Sequence, residues 1–154
     1  MASDGKWFDE VAFPALLRSA RTTYGSAIGS SLSEAGFDDV PRNGAFVIGS
    51  IARTGAPLSD IIKELGVSKQ AAGQLVDTLV ARGYLDRTVD PEDRRRLTIT
   101  LTERGLAAGS AIRSAVDRVD TTLLEQVGAE SVARARATLA ALVEQHSHST
   151  HDHD

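Results

Sequence analysis

Apolar residues step by three and four from Phe13 through Leu17, Ala20, Tyr24, Ala27 and Ile28 to Leu32. One continuous stripe of this kind predicts a helix from about Phe13 to Ala35. Pro14 suits its first turn, where a missing N–H costs nothing, and Gly36 ends it. A second helix is expected from about Arg42 to Arg53, and a short third from Leu58 to Leu65 with Leu58, Ile61, Ile62 and Leu65 on one face. Gly66 stands where a left-handed cap is wanted. Ser68 then caps a fourth helix, Lys69 to Arg82, that turns Ala72, Leu75, Val76 and Leu79 inward.

Beyond Gly83 the period changes from helical to alternating. Leu85–Val89 reads as a strand, Asp90-Pro91-Glu92-Asp93 as a turn, and Arg96–Leu101 as a second strand. Leu97, Ile99 and Leu101 alternate with Arg96, Thr98 and Thr100, which predicts a hairpin with one buried face. Thr102 is placed to cap a long helix carrying Ile112, Val116, Val119 and Leu123 on one side. Gly128 breaks it, and a last helix follows with Val132, Ala135, Leu139 and Leu142 inward.

Two short helices joined by Leu65-Gly66-Val67-Ser68 have the turn chemistry of a helix-turn-helix. The second leaves Ser68, Lys69, Gln70, Gly73, Gln74 and Asp77 outside. Amides there match the donor and acceptor edge of adenine, while hydroxyls and Lys69 suit phosphate. Taken alone, this face reads equally well as a solvated helix surface. The hairpin tips the balance, because Arg94-Arg95-Arg96 lies at or just beyond its tip, where the fold requires no run of arginines. A guanidinium on an extended loop suits the negative potential of a narrow minor groove. Asp93 is placed to hold one arginine by a paired hydrogen bond and aim another.

Leu65-Gly66-Val67-Ser68-Lys69-Gln70, Leu75-Val76-Asp77 and Arg82-Gly83-Tyr84-Leu85 resemble the binding helix of MarR-type regulators. Asp90-Pro91-Glu92-Asp93-Arg94-Arg95-Arg96 and Leu101-Thr102-Glu103-Arg104-Gly105 resemble that family's wing and the start of its next helix. The resemblance is specific from Leu58 to Gly105. It implies a mainly α fold with a small β-hairpin wing, a winged helix-turn-helix between N- and C-terminal dimerisation helices. It also implies a triangular dimer with both reading helices in successive major grooves, and Arg95 in the minor groove. Where many relatives carry Ser or Thr followed by Arg in the reading helix, this chain has Gly73-Gln74, which weakens the expectation of guanine contact.

The expected organisation is one domain over 1–154. Residues 41–105 form the DNA-binding lobe, 7–36 and 106–146 the dimerisation helices, and 147–154 a flexible His/Asp tail. The long apolar stripes at both ends exceed what a winged lobe of about 70 residues needs, and such surplus marks an interface. A two-fold dimer predicts palindromic duplex DNA with half-sites about 34–36 Å apart. By resemblance, a small aromatic or anionic effector is expected in a cleft that Trp7, Phe8, Phe13, Tyr24 and Phe46 are candidates to line. Core is the plainer reading for each of them.

Composition bears on this in three ways. Net charge is −4, yet Arg42 to Arg104 holds ten Lys/Arg against eight Asp/Glu, an electropositive middle in an acidic chain. There is no cysteine, so thiolate zinc sites, disulfides and the family's peroxide-sensing branch are excluded. No apolar run approaches the roughly 20 residues of a membrane span, and the N-terminus lacks a signal pattern, so a cytoplasmic protein is expected. No enzyme is expected either. The chain has no glycine-rich phosphate loop after a strand, and its only histidines are His146, His148, His151 and His153. Interleaved with Asp152 and Asp154, these suggest metal-responsive regulation as an alternative, although a frayed tail explains them better. No cofactor is expected. A winged-helix module docking a protein is the other alternative, against which a charged wing tip argues.

Overall fold

The computed structural model describes residues 6–95 and 97–151. A single 3-10 turn at Trp7–Glu10 precedes α1 (Phe13–Glu34), α2 (Gly44–Thr54), α3 (Leu58–Leu65) and α4 (Lys69–Ala81). Strands β1 (Leu85–Val89) and β2 (Leu97–Leu101) follow, then α5 (Glu103–Val127) and α6 (Ala129–His151). The fold is thus mainly helical with one antiparallel hairpin inserted after the fourth helix. Two compact units are distinguished, the first through Val116 and the second from Asp117.

In the first unit, α1 and α4 end in the same way. The N–H of Gly36 reaches Ser33 O (3.0 Å) and that of Phe37 reaches Leu32 O (2.8 Å), while Gly36 holds φ +83°. At α4, Gly83 reaches Val80 O (3.0 Å) and Tyr84 reaches Leu79 O (2.9 Å), with Gly83 at φ +80°. Both are Schellman closures, which satisfy the last carbonyls and carry the next residue back over the helix end. The two residues so delivered, Phe37 and Tyr84, meet edge to face at 6.0 Å.

α2 begins two residues later than the sequence suggests. Asn43 takes a left-handed φ of 65°, and Gly44 N–H closes a turn on Pro41 O at 2.8 Å. Its inner side buries Val47 and Ile48 completely. With Leu32, Ile61, Leu75, Leu79, Tyr84, Leu85, Ala108 and Ile112 they form the core. α5 approaches α2 closely because its partners are small, since a Cβ at Gly109 would lie 2.9 Å from Ala52 Cβ. The buried Ser31 hydroxyl donates to Ala111 O at 2.8 Å. Among the described residues no buried side-chain polar atom is left without a partner.

The hairpin pairs Leu85 with Leu101, Arg87 with Ile99 and Val89 with Leu97. Among the described side chains its apolar face is most buried at the base. Leu85 is buried, Ile99 and Leu101 are half-buried, and Val89 is 54% exposed, because the strands extend past the core they rest on.

In the second unit, Gly128 (φ +82°) separates the end of α5 from α6, and α6 continues past the expected end at His146 to His151. The expected inward stripe is largely outside: Val132 is half-buried, but Ala135, Leu139 and Leu142 are exposed. Phe13 and Leu17 of α1 are exposed as well. Among the described residues no helix is long and apolar enough to cross a membrane.

Candidate nucleic-acid interface

α3, a tight turn and α4 form the helix-turn-helix. Gly66 closes α3 at φ 65°, and its N–H bonds to Lys63 O at 3.3 Å. Ser68 then leaves the helical region (φ −63°, ψ 158°), and its hydroxyl accepts the N–H of Ala71 at 3.1 Å. That cap fixes where α4 starts and therefore which residues face out. Ala72, Leu75, Val76 and Leu79 are buried against the core. Ser68, Lys69, Gln70, Gly73, Gln74 and Asp77 are all exposed, one uninterrupted polar face.

Asp77 is not free on that face. Its carboxylate accepts a hydrogen bond from the Arg87 guanidinium on β1, an ion pair joining the helix to the hairpin. Arg87 carried no role in the sequence reading, because only the fold brings β1 back beside α4. The pair neutralises the one carboxylate among the outward residues of α4, where a bare anion would repel phosphate.

The wing tip is organised by its acids. Asp90 accepts the N–H of Glu92 at 2.9 Å, and Asp93 accepts the N–H of Arg95 at 3.0 Å. Among the described residues Asp93 grips the backbone of Arg95, as short carboxylates do in turns. The Arg94 and Arg95 side chains are exposed, and Arg96 lies outside the described residues.

Beneath the wing lies a polar clamp that the sequence did not reveal. Tyr84, whose ring is fully buried, donates its hydroxyl to Asp39 in the loop before α2. Arg104, in the first turn of α5, donates to Asp39 (3.0 Å) and to the Tyr84 oxygen (3.1 Å). Its guanidinium lies over the rings of Tyr84 (4.7 Å) and Phe37 (5.2 Å), and Arg82 donates to Asp39 O. The Tyr84 hydroxyl, aided by Arg104, holds the Asp39 carboxyl below its ordinary range. Burial, with the hydrogen bond and charge of Asp39, pushes the Tyr84 phenol up. Thr102 caps α5 by accepting the Gly105 N–H at 3.0 Å and donates to Gly83 O, so one hydroxyl joins the end of α4 to the start of α5.

The aromatics considered for an effector cleft are spread out. Trp7 meets Phe8 edge-on at 5.8 Å; Trp7, Phe13 and Phe46 are exposed, and Tyr24 is half-buried on α1. Among the described residues no group of three acidic or imidazole side chains is arranged to hold a metal. The side chains of His148 and His151, with Asp152, His153 and Asp154, lie outside the described residues.

Residues 38–96 match the MarR family. Among solved structures the chain is similar to MepR of Staphylococcus aureus in complex with DNA, at 23% identity over 88% of this chain and 99% of that one, TM-score 0.70. It is similar to MepR in its DNA-binding conformation at 22% identity, over 88% and 98%, TM-score 0.71. For MepR bound to ethidium bromide the figures are 23%, 89% and 98%, TM-score 0.55. At these identities the likeness is one of fold. No curated protein matches the chain in sequence.

Proposed function

We propose that this chain, whose residues 38–96 match the MarR family, is a transcription regulator that binds duplex DNA as a two-fold dimer. The observation that carries the proposal is the pairing of two exposed features on one rigid lobe. They are the polar face of α4 and the Arg94-Arg95 tip of a hairpin tied to α4 through Asp77 and Arg87. A helix face of that width enters a major groove, and a basic tip beside it reaches the neighbouring minor groove. Gln70 and Gln74 offer amides to base edges, while Ser68 and Lys69 at the start of α4 meet phosphate. Arg95, its backbone held by Asp93, is the minor-groove residue, with Arg94 and Arg96 beside it. Gly73 allows close approach, and Asp77 acts through Arg87.

Residues 41–105 supply the DNA-binding lobe. The exposed apolar residues at the two ends of the chain, Phe13 and Leu17 of α1 and Leu139 and Leu142 of α6, supply the dimer contact. The partner DNA is then a palindrome with half-sites about one helical turn apart. The regulator acts by binding rather than catalysis, in the cytoplasm, as a repressor released by a small aromatic or anionic effector. MepR binds ethidium, an aromatic cation, within the same fold. Trp7, Phe13, Tyr24 and Phe46 are the residues here with the chemistry to hold a flat ligand. Such a ligand works by favouring a dimer whose reading helices are wrongly spaced for DNA.

Selection from a random duplex pool tests this, with wild type beside Arg95→Ala and Gln74→Ala. One palindrome should be enriched, bound more weakly by Arg95→Ala and with altered base preference by Gln74→Ala. Binding that enriches no sequence and follows salt alone overturns the proposal and turns the search toward a protein partner.

A further inference from the structure

Most glycines of this chain have a reason within the fold. Gly36, Gly55, Gly66, Gly83 and Gly128 hold positive φ, and an added Cβ at Gly44, Gly49, Gly105 or Gly109 would meet a neighbour within 3.2 Å. Gly73 has neither reason. It sits in the middle of α4 with helical φ, and a Cβ there would find nothing within 4 Å. Glycine in a helix interior is costly relative to alanine, so the fold alone would favour a side chain at this position. Gly25 and Gly29 are equally open on α1, but Gly73 alone stands on the outward face beside Gln70 and Gln74.

What meets that bare stretch of backbone follows from the chemistry of the groove. The thymine 5-methyl is the one apolar projection in the major groove, and it sits beside the atoms that a glutamine amide grips on adenine. The face has no arginine to fork onto guanine; its one cation, Lys69, stands in the first turn of α4. A glutamine amide reaches less far than an arginine fork, and α4 approaches the base edges more closely where no Cβ opposes the methyl.

Resting on the regulator reading above, we propose that Gly73 is a specificity-determining residue. Its exposed backbone seats a thymine methyl while Gln70 and Gln74 take adenine edges, so the half-site is read as A·T pairs.

The test exchanges one methyl for another. Gly73→Ala adds a methyl to the protein, and deoxyuridine in place of thymidine removes one from the DNA. Wild type and Gly73→Ala are titrated on the selected duplex, on a scrambled duplex, and on duplexes with each half-site thymine replaced in turn. The variant should melt about 2–4 °C higher than wild type, which shows that it folds. It should bind the selected duplex about tenfold or more weakly and the scrambled duplex equally. At one position deoxyuridine should restore most of that loss, while costing wild type a few-fold in affinity.

Equal binding by the variant, or loss with no rescuing position, overturns the proposal. So does a selected half-site with G·C pairs throughout its major-groove contacts, which would leave the regulator reading intact. A wild type that enriches no sequence overturns both.

Discussion

Tyr84 places a fully buried ring under a hydroxyl that bonds to Asp39, and its titration records that contact. Because its folded pKa is raised, Tyr84 contributes stability that is complete below about pH 10 and lost as pH climbs through the folded value. Asp39 has the opposite sign: its lowered pKa contributes stability above the ordinary carboxylate range, lost as acid protonates it. Tyr84→Phe should therefore cost about 1 kcal/mol at neutral pH and flatten the alkaline limb, read from urea midpoints between pH 7 and 10.5. Gly105 is a steeper case. A Cβ there would lie 2.1 Å from the Tyr84 carbonyl oxygen and 2.9 Å from Leu101 Cδ2, so main chain itself has to move. Gly105→Ala should destabilise by about 1–3 kcal/mol in the same assay, whereas the open site at Gly73 accepts the same methyl with a gain.

At the scale of elements, what matters is how firmly α4 and the wing are held to one another. The Ser68 cap sets the first turn of α4, and Ser68→Ala should cost about 1 kcal/mol and speed hydrogen exchange at the Ala71 amide. The Asp77–Arg87 pair is about half exposed, so screening keeps its contribution to stability below about 1 kcal/mol. Its consequence is geometric, because it links α4, the element proposed to read the major groove, to the hairpin that carries Arg95. Arg87→Gln should leave the melting temperature within a few degrees of wild type and weaken binding to the selected duplex. If Arg87 instead touched phosphate directly, the variant would lose affinity equally on every sequence, and the salt slope would fall by about 1.

For the whole molecule, the proposed dimer would cover the exposed Leu139 and Leu142 on α6 and Phe13 and Leu17 on α1. Leu142→Glu should convert dimer to monomer in sedimentation and abolish tight binding to a palindrome, while a single half-site is still bound weakly. A variant that remains dimeric would move the interface elsewhere. Salt reports the other global property. The logarithm of the binding constant should fall linearly with the logarithm of salt concentration, and Arg95→Ala should reduce the slope by about 1.

Most of the elements are already legible in the amino-acid pattern. Helical stripes, Gly66, Ser68, Thr102 and the alternating run after Gly83 are local signals, because caps and periodicity act within a turn or two of the chain. They place Gln70, Gly73 and Gln74 outside before any tertiary contact is known. The start of α2 was missed because Asn43 takes a left-handed conformation that nothing in its neighbours demands. Contacts between residues far apart in the chain depend on the fold. It joined Asp77 to Arg87 over ten residues and Asp39 to Arg104 over sixty-five. It also left Ala135, Leu139 and Leu142 of α6 exposed on the single chain. Periodicity shows that a helix has an apolar side but not what covers it, and pairing between distant charges depends on a fold that no local window contains.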